Sequence, residues 1–272
     1  MLKASRQHYR SIWISDVHLG TRGCKAEFLL DFLKCTESEY LYLVGDMVDG
    51  WRLRRSWYWP QAHNDVVQKL LRKARKGTQV TFVPGNHDEF ARNFLEFNFG
   101  DITVKNEVVH QTADGKLFLI LHGDQFDGVV SCAKWLAHIG DHAYELAMLL
   151  NRWLNYFRHK LGFGYWSLSS YLKHKVKNAV KYISDFEGAM AEIARRRGVD
   201  GIVCGHIHHA EIRDVNGITY ANDGDWVESC TALVEHFDGT LEILRWADGR
   251  GLPQLPELTA PEPDHSPQHA TP

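Results

Sequence analysis

What this chain of 272 residues lacks narrows its class early. No uninterrupted apolar run reaches the ~18 residues that a membrane-crossing helix needs, so no transmembrane helix is expected. The five cysteines, Cys24, Cys35, Cys132, Cys204 and Cys230, are odd in number and include no Cys-x-x-Cys pair. That argues against a disulfide framework or zinc knuckle and fits buried thiols in a reducing compartment. Met1 to Arg10 is polar and basic, without the apolar core of a signal peptide, so the expectation is a cytoplasmic protein, free to touch a membrane surface from the inner side. With a formal net charge of −3 and no RNA- or DNA-binding motif, nothing points to nucleic acid. No internal repeat recurs at a fixed period.

What is present is a series of apolar runs that each end in a turn and a polar side chain. The fullest is Val203-Cys204-Gly205-His206-Ile207-His208-His209. Upstream stand Asp16 and His18 after Ile12-Trp13-Ile14, Asp46 in Val44-Gly45-Asp46, Asn86 in Pro84-Gly85-Asn86-His87-Asp88, and His122 in Leu121-His122-Gly123-Asp124. Open α/β folds place their chemistry at such strand ends. The pattern predicts strands at Tyr9 to Ser15, Tyr40 to Val44 and Gln79 to Val83, with helices at Ala26 to Cys35 and Gln61 to Lys76 between them. This is an α/β arrangement with a largely parallel sheet. Further strands are expected at Thr103 to His110 and Lys116 to Leu121, joined at Asp114-Gly115, and at Gly201 to Cys204. Two more hairpins are expected across Asn216-Gly217 and Asp238-Gly239. Residues 1–126 and 198–247 then form the core, 127–197 an inserted helical cap, and 248–272 a disordered tail.

Asp16, His18, Asp46, Asn86, His122, His206 and His208 combine carboxylate, amide and imidazole donors without a thiol, which suits divalent ions such as Mn²⁺, Fe²⁺ or Zn²⁺. Seven donors exceed the need of one ion, and a shared Asp46 would hold two ions ~3.5–4 Å apart for phosphoryl chemistry. Chance placement at five successive strand ends is a poor explanation of the set, whereas His8, His63, His138, His159 and His174 read as surface or core residues, and His209 is left outside it.

In order along the chain, Asp-x-His, Gly-Asp-x-x-Asp, Gly-Asn-His-Asp, His-Gly-Asp and Gly-His-x-His resemble the blocks of the calcineurin-like metallophosphoesterase superfamily. The resemblance implies a β-sandwich of mixed sheets flanked by helices. It also implies one ion on Asp16, His18, Asp46 and His208, and another on Asp46, Asn86, His122 and His206. It casts His87 as the group that assists the leaving oxygen, with Asp49 as its orienting acid. Asp88 and Asp124 are expected to fix ligand imidazoles. Within the superfamily the chain is most similar to the UDP-2,3-diacylglucosamine diphosphatase family, sharing its Asp-x-His-Leu opening, its helical insertion and its size. It departs in carrying His87 and Asp49 where that family carries arginine and no matching acid.

From Asn151 to Ser184 there is no Asp or Glu, while lysines and arginines alternate with aromatic residues. Such a segment suits a lipid headgroup region, and Lys173, Lys177 and Lys181 share one helix face that could meet a diphosphate. A solvated helix face over an aromatic core is the plain alternative. The expected function is hydrolysis of the pyrophosphate of a nucleotide-linked diacyl sugar lipid to UMP and a lipid phosphate, with two Mn²⁺-type ions. The alternatives are a phosphodiesterase or phosphatase for another lipid or nucleotide, and a scaffold that has kept the fold without chemistry.

Overall fold

The computed structural model describes residues 6–126 and 168–248, with side chains of the long helix described from Tyr182 onward. Strand β1 (Gln7–Ile14) leads through a loop to helix α1 (Ala26–Cys35) and directly into β2 (Thr36–Val44). Helix α2 (Gly50–Arg55) and helix α3 (Gln61–Arg75) precede β3 (Gln79–Val83). Short strands β4 (Asn98–Phe99) and β5 (Ile102–Val104) follow, then β6 (Val108–Gln111) and β7 (Leu117–Ile120). Helix α4 (Leu168–Arg197) returns the chain to β8 (Gly201–Cys204), β9 (Glu211–Val215), β10 (Ile218–Asn222), β11 (Thr231–Glu235) and β12 (Leu241–Arg245).

Two mixed sheets result, one ordered β12-β11-β1-β2-β3-β5-β4 and the other β6-β7-β8-β10-β9. The parallel set β1, β2, β3 and β5 is the expected βαβ part. The hairpins at Asp114-Gly115, Asn216-Gly217 and Asp238-Gly239 close antiparallel pairs as their turn residues predict. The single strand expected over Thr103 to His110 is two strands in different sheets: β5 pairs with β3, and β6 pairs with β7. The intervening polar residues Lys105, Asn106 and Glu107 carry the chain from one layer to the other, which an unbroken β pattern does not reveal.

Alternation along the strands of the first sheet gives it two apolar faces. Ile12, Ile14, Leu41 and Leu43 point outward to α1 and α3, where Leu29, Phe32, Leu33, Val66 and Leu70 recur at helical spacing. Trp13, Tyr42, Val44 and Val83 point inward against Phe118, Ile120, Val203 and Ala221 of the facing sheet. Each large apolar side chain so buried contributes roughly 1.5–3 kcal/mol.

Part of the segment expected as an inserted cap, 127–197, lies among the described residues. Tyr182, Phe186, Met190, Ala191 and Ala194 of α4 pack on Leu119, Ile202, Cys204 and Tyr220, so this part of the helix belongs to the core of the second sheet. Apolar spacing alone cannot say what a helix face meets. The rest of the expected cap, 127–167, and the tail from 249 lie outside the described residues. Among the described residues, no helix is long and apolar enough to cross a membrane.

Candidate active site

Six of the seven candidate ligands fall into two close groups beyond the carboxyl ends of β1, β2, β7 and β8, while Asn86 stands in the loop that follows β3. Asp16, His18 and His208 offer atoms within 4.8 Å of one another, as do Asp46, His122 and His206. Asp46 also reaches toward the first group, its Oδ2 lying 3.8 Å from His18 Nε2. Asp16, His18, Asp46, His206 and His208 all have left-handed backbone, with φ of 49°, 53°, 52°, 71° and 55°. Such a conformation costs a non-glycine residue roughly 1 kcal/mol or more, so the surrounding structure must impose it. Main-chain bonds from Asp16 to Gly45 and from His18 to Asp46, at 3.1 and 2.9 Å, lace the first two loops together and do so.

Glycines provide the room. A Cβ on Gly85 would overlap Asp46 Oδ1 and lie 2.6 Å from His122 Cδ2, and one on Gly205 would lie 2.7 Å from Asp16 Oδ2. Side chains therefore cross the backbone at these two turns in van der Waals contact, which only glycine permits.

The donor atoms point at a common space. His122 Nδ1 donates to the Val44 carbonyl at 2.8 Å, which leaves Nε2 directed at Asp46 Oδ2, 3.4 Å away. Asp46 Oδ1 accepts from the His87 amide at 2.8 Å, and Asp16 Oδ2 from the His206 amide at 2.7 Å. Each carboxylate is thereby anchored by one oxygen. Asp46 Oδ2, Asn86 Oδ1 and His122 Nε2 are buried without a hydrogen-bond partner, and Asp16 Oδ1 meets His208 Nε2 at 3.0 Å. Converging acceptors of this kind are costly unless a cation fills the space between them, and the carboxylate, amide and imidazole set fits two divalent ions.

The charges behave accordingly. Burial alone would raise the Asp16 carboxyl, but His208 and His18 outweigh it and hold the group well below its usual range. Burial likewise opposes a charge on His122 and His18, yet Asp46 beside the first and Asp16 with Asp49 beside the second push both up to about 10. The site thus demands positive charge, which either protons or metal ions satisfy.

Beside this group, Asp49 Oδ2 lies 3.1 Å from His87 Nδ1 and 3.6 Å from His18 Nδ1. The first is a close charge contact rather than an aligned hydrogen bond. The other oxygen of Asp49 caps α2, accepting from the Arg52 amide at 2.8 Å. Trp51, 42% exposed, tilts over the His87 ring with centroids 4.4 Å apart. Arg52, Arg54 and Arg55 are exposed on the same short helix.

Asp88 and Asp124 do something other than fix imidazoles. Asp88 is buried and gathers the amides of Asp46, Met47, Val48 and Gly85 at 2.6–3.3 Å, so it ties the β2 loop to the β3 loop. Asp124 pairs with Arg92 through both oxygens at 2.8 Å. Main-chain partners leave no trace in a side-chain motif.

One supporting pair escaped the sequence reading. Ser15 Oγ lies 2.7 Å from Asp16 Oδ2 and 2.5 Å from Asp223 Oδ1. One hydroxyl proton cannot serve two carboxylates, and burial raises the Asp223 carboxyl well above its usual range. Burial thus favours the protonated form of Asp223, and Ser15 Oγ links that carboxyl to Asp16. The signal was there: Asn222-Asp223-Gly224-Asp225 is another polar cluster directly after an apolar strand. For the low-acid segment, Lys173, Lys177 and Lys181 lie on α4, but their side chains are outside those described.

A Neisseria meningitidis serogroup B protein named UDP-2,3-diacylglucosamine hydrolase is 26% identical over 227 residues, covering 79% of this chain and 88% of its own. A Porphyromonas gingivalis protein of the same name is 26% identical over 118 residues, 41% of this chain and 44% of its own. The chain thus spans under half the length of that relative, and half that of a Blochmanniella pennsylvanica one. Among solved structures, a phosphoesterase from E. coli, 15% identical, overlays with a TM-score of 0.41 across 86% of this chain and 97% of its own, a likeness too remote to bear on chemistry. The sequence model of the calcineurin-like phosphoesterases matches residues 9–210, from the first strand to just past the last pair of candidate ligands, and the chain belongs to that family.

Proposed function

We propose that this metal-dependent phosphoesterase hydrolyses the pyrophosphate bond of a UDP-linked diacyl sugar, releasing UMP and a lipid phosphate, with two divalent ions of the Mn²⁺ type. The observation that carries the reading is the pair of close groups Asp16, His18, His208 and Asp46, His122, His206, in which Asp46 Oδ2 and His122 Nε2 are buried without a hydrogen-bond partner. Asp16, His18, Asp46 and His208 would hold one ion, and Asp46, Asn86, His122 and His206 the other. When bound, such a pair supplies an activated water and charge stabilisation at the phosphoryl oxygens.

The chain's own residues do the rest. Ser15 and Asp223 hold the Asp16 carboxylate in one orientation. Asp88 fixes the two loops that carry Asp46 and Asn86. His87, its Nδ1 turned to Asp49, keeps Nε2 4.0 Å from Asp46 Oδ2, beside the ligand cluster, where it would donate a proton to the departing oxygen. Trp51 and the arginines of α2 give the lip of the cleft an aromatic face and a positive edge, suited to a sugar and a diphosphate. The name shared by the relatives supports the substrate.

The test compares turnover of the UDP-linked lipid with that of a soluble chromogenic diester, alongside metal analysis of the purified protein. Two divalent ions per chain and preference for the lipid are expected. Cleavage of the diester alone would reassign the substrate to another ester.

A further inference from the structure

The opposite pole of the molecule carries a second charged feature. Lys69, Arg72, Lys73 and Lys76 fall at i, i+3, i+4 and i+7 of α3 and its C-terminal cap, and so share one face. With Arg6, Ser38 and Thr78 they line an open crevice of about 600 Å³ at the entry ends of β2 and β3. Asp46 stands at the far end of β2, on the order of 25 Å away at ~3.3 Å per residue.

The charge in this crevice is not balanced. Its lining includes two carboxylates, Glu37 and Glu39, and Arg6 pairs with Glu37. Among the described residues, Lys69, Arg72 and Lys76 have no carboxylate within ion-pair distance. Lys73 is buried, and its Nζ donates to a neutral acceptor, the Thr36 carbonyl, at 2.5 Å. Burial and the neighbouring cations together pull the Lys69 and Lys73 ammonium groups below their ordinary range, Lys73 to about 8. Ser38 Oγ, inside the crevice, is buried without a hydrogen-bond partner.

We propose that this crevice binds a phosphate-bearing anion, at a site separate from the metal cleft. Arg72 offers a planar fork to phosphate oxygens, and Lys69 and Lys76 offer point charges. The concave shape takes a small anion or a single headgroup. The distance between the poles means that an anion bound here reaches the reaction only through the sheet.

Equilibrium dialysis of radiolabelled inorganic phosphate against the metal-loaded full chain, at fixed ionic strength, counts the bound anions. The double variant R72Q/K76Q, changed at two exposed positions, is expected to bind one phosphate fewer than wild type, and K69Q to weaken that phosphate at least ~10-fold. A second arm sediments phosphatidylglycerol vesicles with both proteins. Loss of phosphate binding in the variant assigns the site to a free anion, and loss of vesicle retention alone assigns it to a lipid headgroup. Unchanged turnover of a chromogenic diester shows that the variant is folded, and K76Q alone replaces it should the double variant not fold. Equal phosphate stoichiometry together with equal vesicle retention overturns the proposal and leaves a solvated basic face.

Discussion

Nε2 of His122 faces Oδ2 of Asp46 across 3.4 Å, while Nδ1 of the same ring is committed to the Val44 carbonyl. The ring therefore presents either a proton or a lone pair to that carboxylate. A metal ion held there would take the lone pair, with His122 and Asp46 as two of its ligands.

Asp46→Asn keeps the shape and removes the charge. Several kcal/mol of transition-state stabilisation attend a bound metal, so turnover should fall by more than ~10²-fold. Elemental analysis should find less than two ions per chain. Full metal content in D46N would show that the ions do not share this residue.

His87 and Asp49 act on the leaving group. His87→Gln should lower kcat by about 10² to 10⁴-fold on a substrate with a basic leaving oxygen, and far less on a p-nitrophenyl ester, whose leaving group needs no proton. Asp49→Asn should follow the same pattern more mildly, because its amide oxygen still caps α2 and only the charge beside His87 is lost. Equal losses on both substrates would mean that His87 binds rather than protonates.

Gly85→Ala tests the close crossing of the turn by two ligand side chains. The added methyl would overlap Asp46 Oδ1 and crowd His122, so about 1–3 kcal/mol of overpacking is expected together with lost metal. Thermal unfolding with and without Mn²⁺ reads both. A protein still stabilised by Mn²⁺ as strongly as wild type would contradict the placement.

Burial raises the Asp223 carboxyl well above its usual range, which favours its protonated form. Asp223→Asn preserves a neutral donor to Ser15 and should leave metal affinity nearly unchanged, whereas Asp223→Ala should weaken it by about 10 to 100-fold. Metal titration followed by calorimetry distinguishes the two. Equal loss in both would indicate an ionised Asp223.

Lys73 gives stability a pH dependence of defined sign. Its ordinary pKa of 10.5 drops to about 8 in the folded chain, chiefly through burial. Below pH 8 both states carry the charge and the folded state bears the full penalty. As pH rises from about 8 toward 10.5 the folded state sheds the proton first, so stability grows, by at most ~3 kcal/mol at about 1.4 kcal/mol per pKa unit. Urea unfolding at pH 7.5 and 9.5 should show wild type gaining on K73M. A constant difference would place the Lys73 charge in water.

Much of this was legible in the residues themselves. Helix α1 and strand β3 fall where their apolar spacing predicts, and the three hairpins turn at Asp-Gly and Asn-Gly pairs, because local sterics decide both. The split of Thr103 to His110 between two sheets was not legible, nor was the docking of α4 from Tyr182 onward, since a periodic pattern reports that a face is apolar and not what covers it. In the site, residue types at strand ends named the candidate donors and the chemistry they suit. Only the tertiary structure decided that Asp88 gathers amides instead of imidazoles, that Ser15 and Asp223 brace Asp16, and that five of the donors stand on left-handed backbone. Those are contacts between segments up to two hundred residues apart and with main-chain atoms common to every residue, and no local pattern of side chains encodes them.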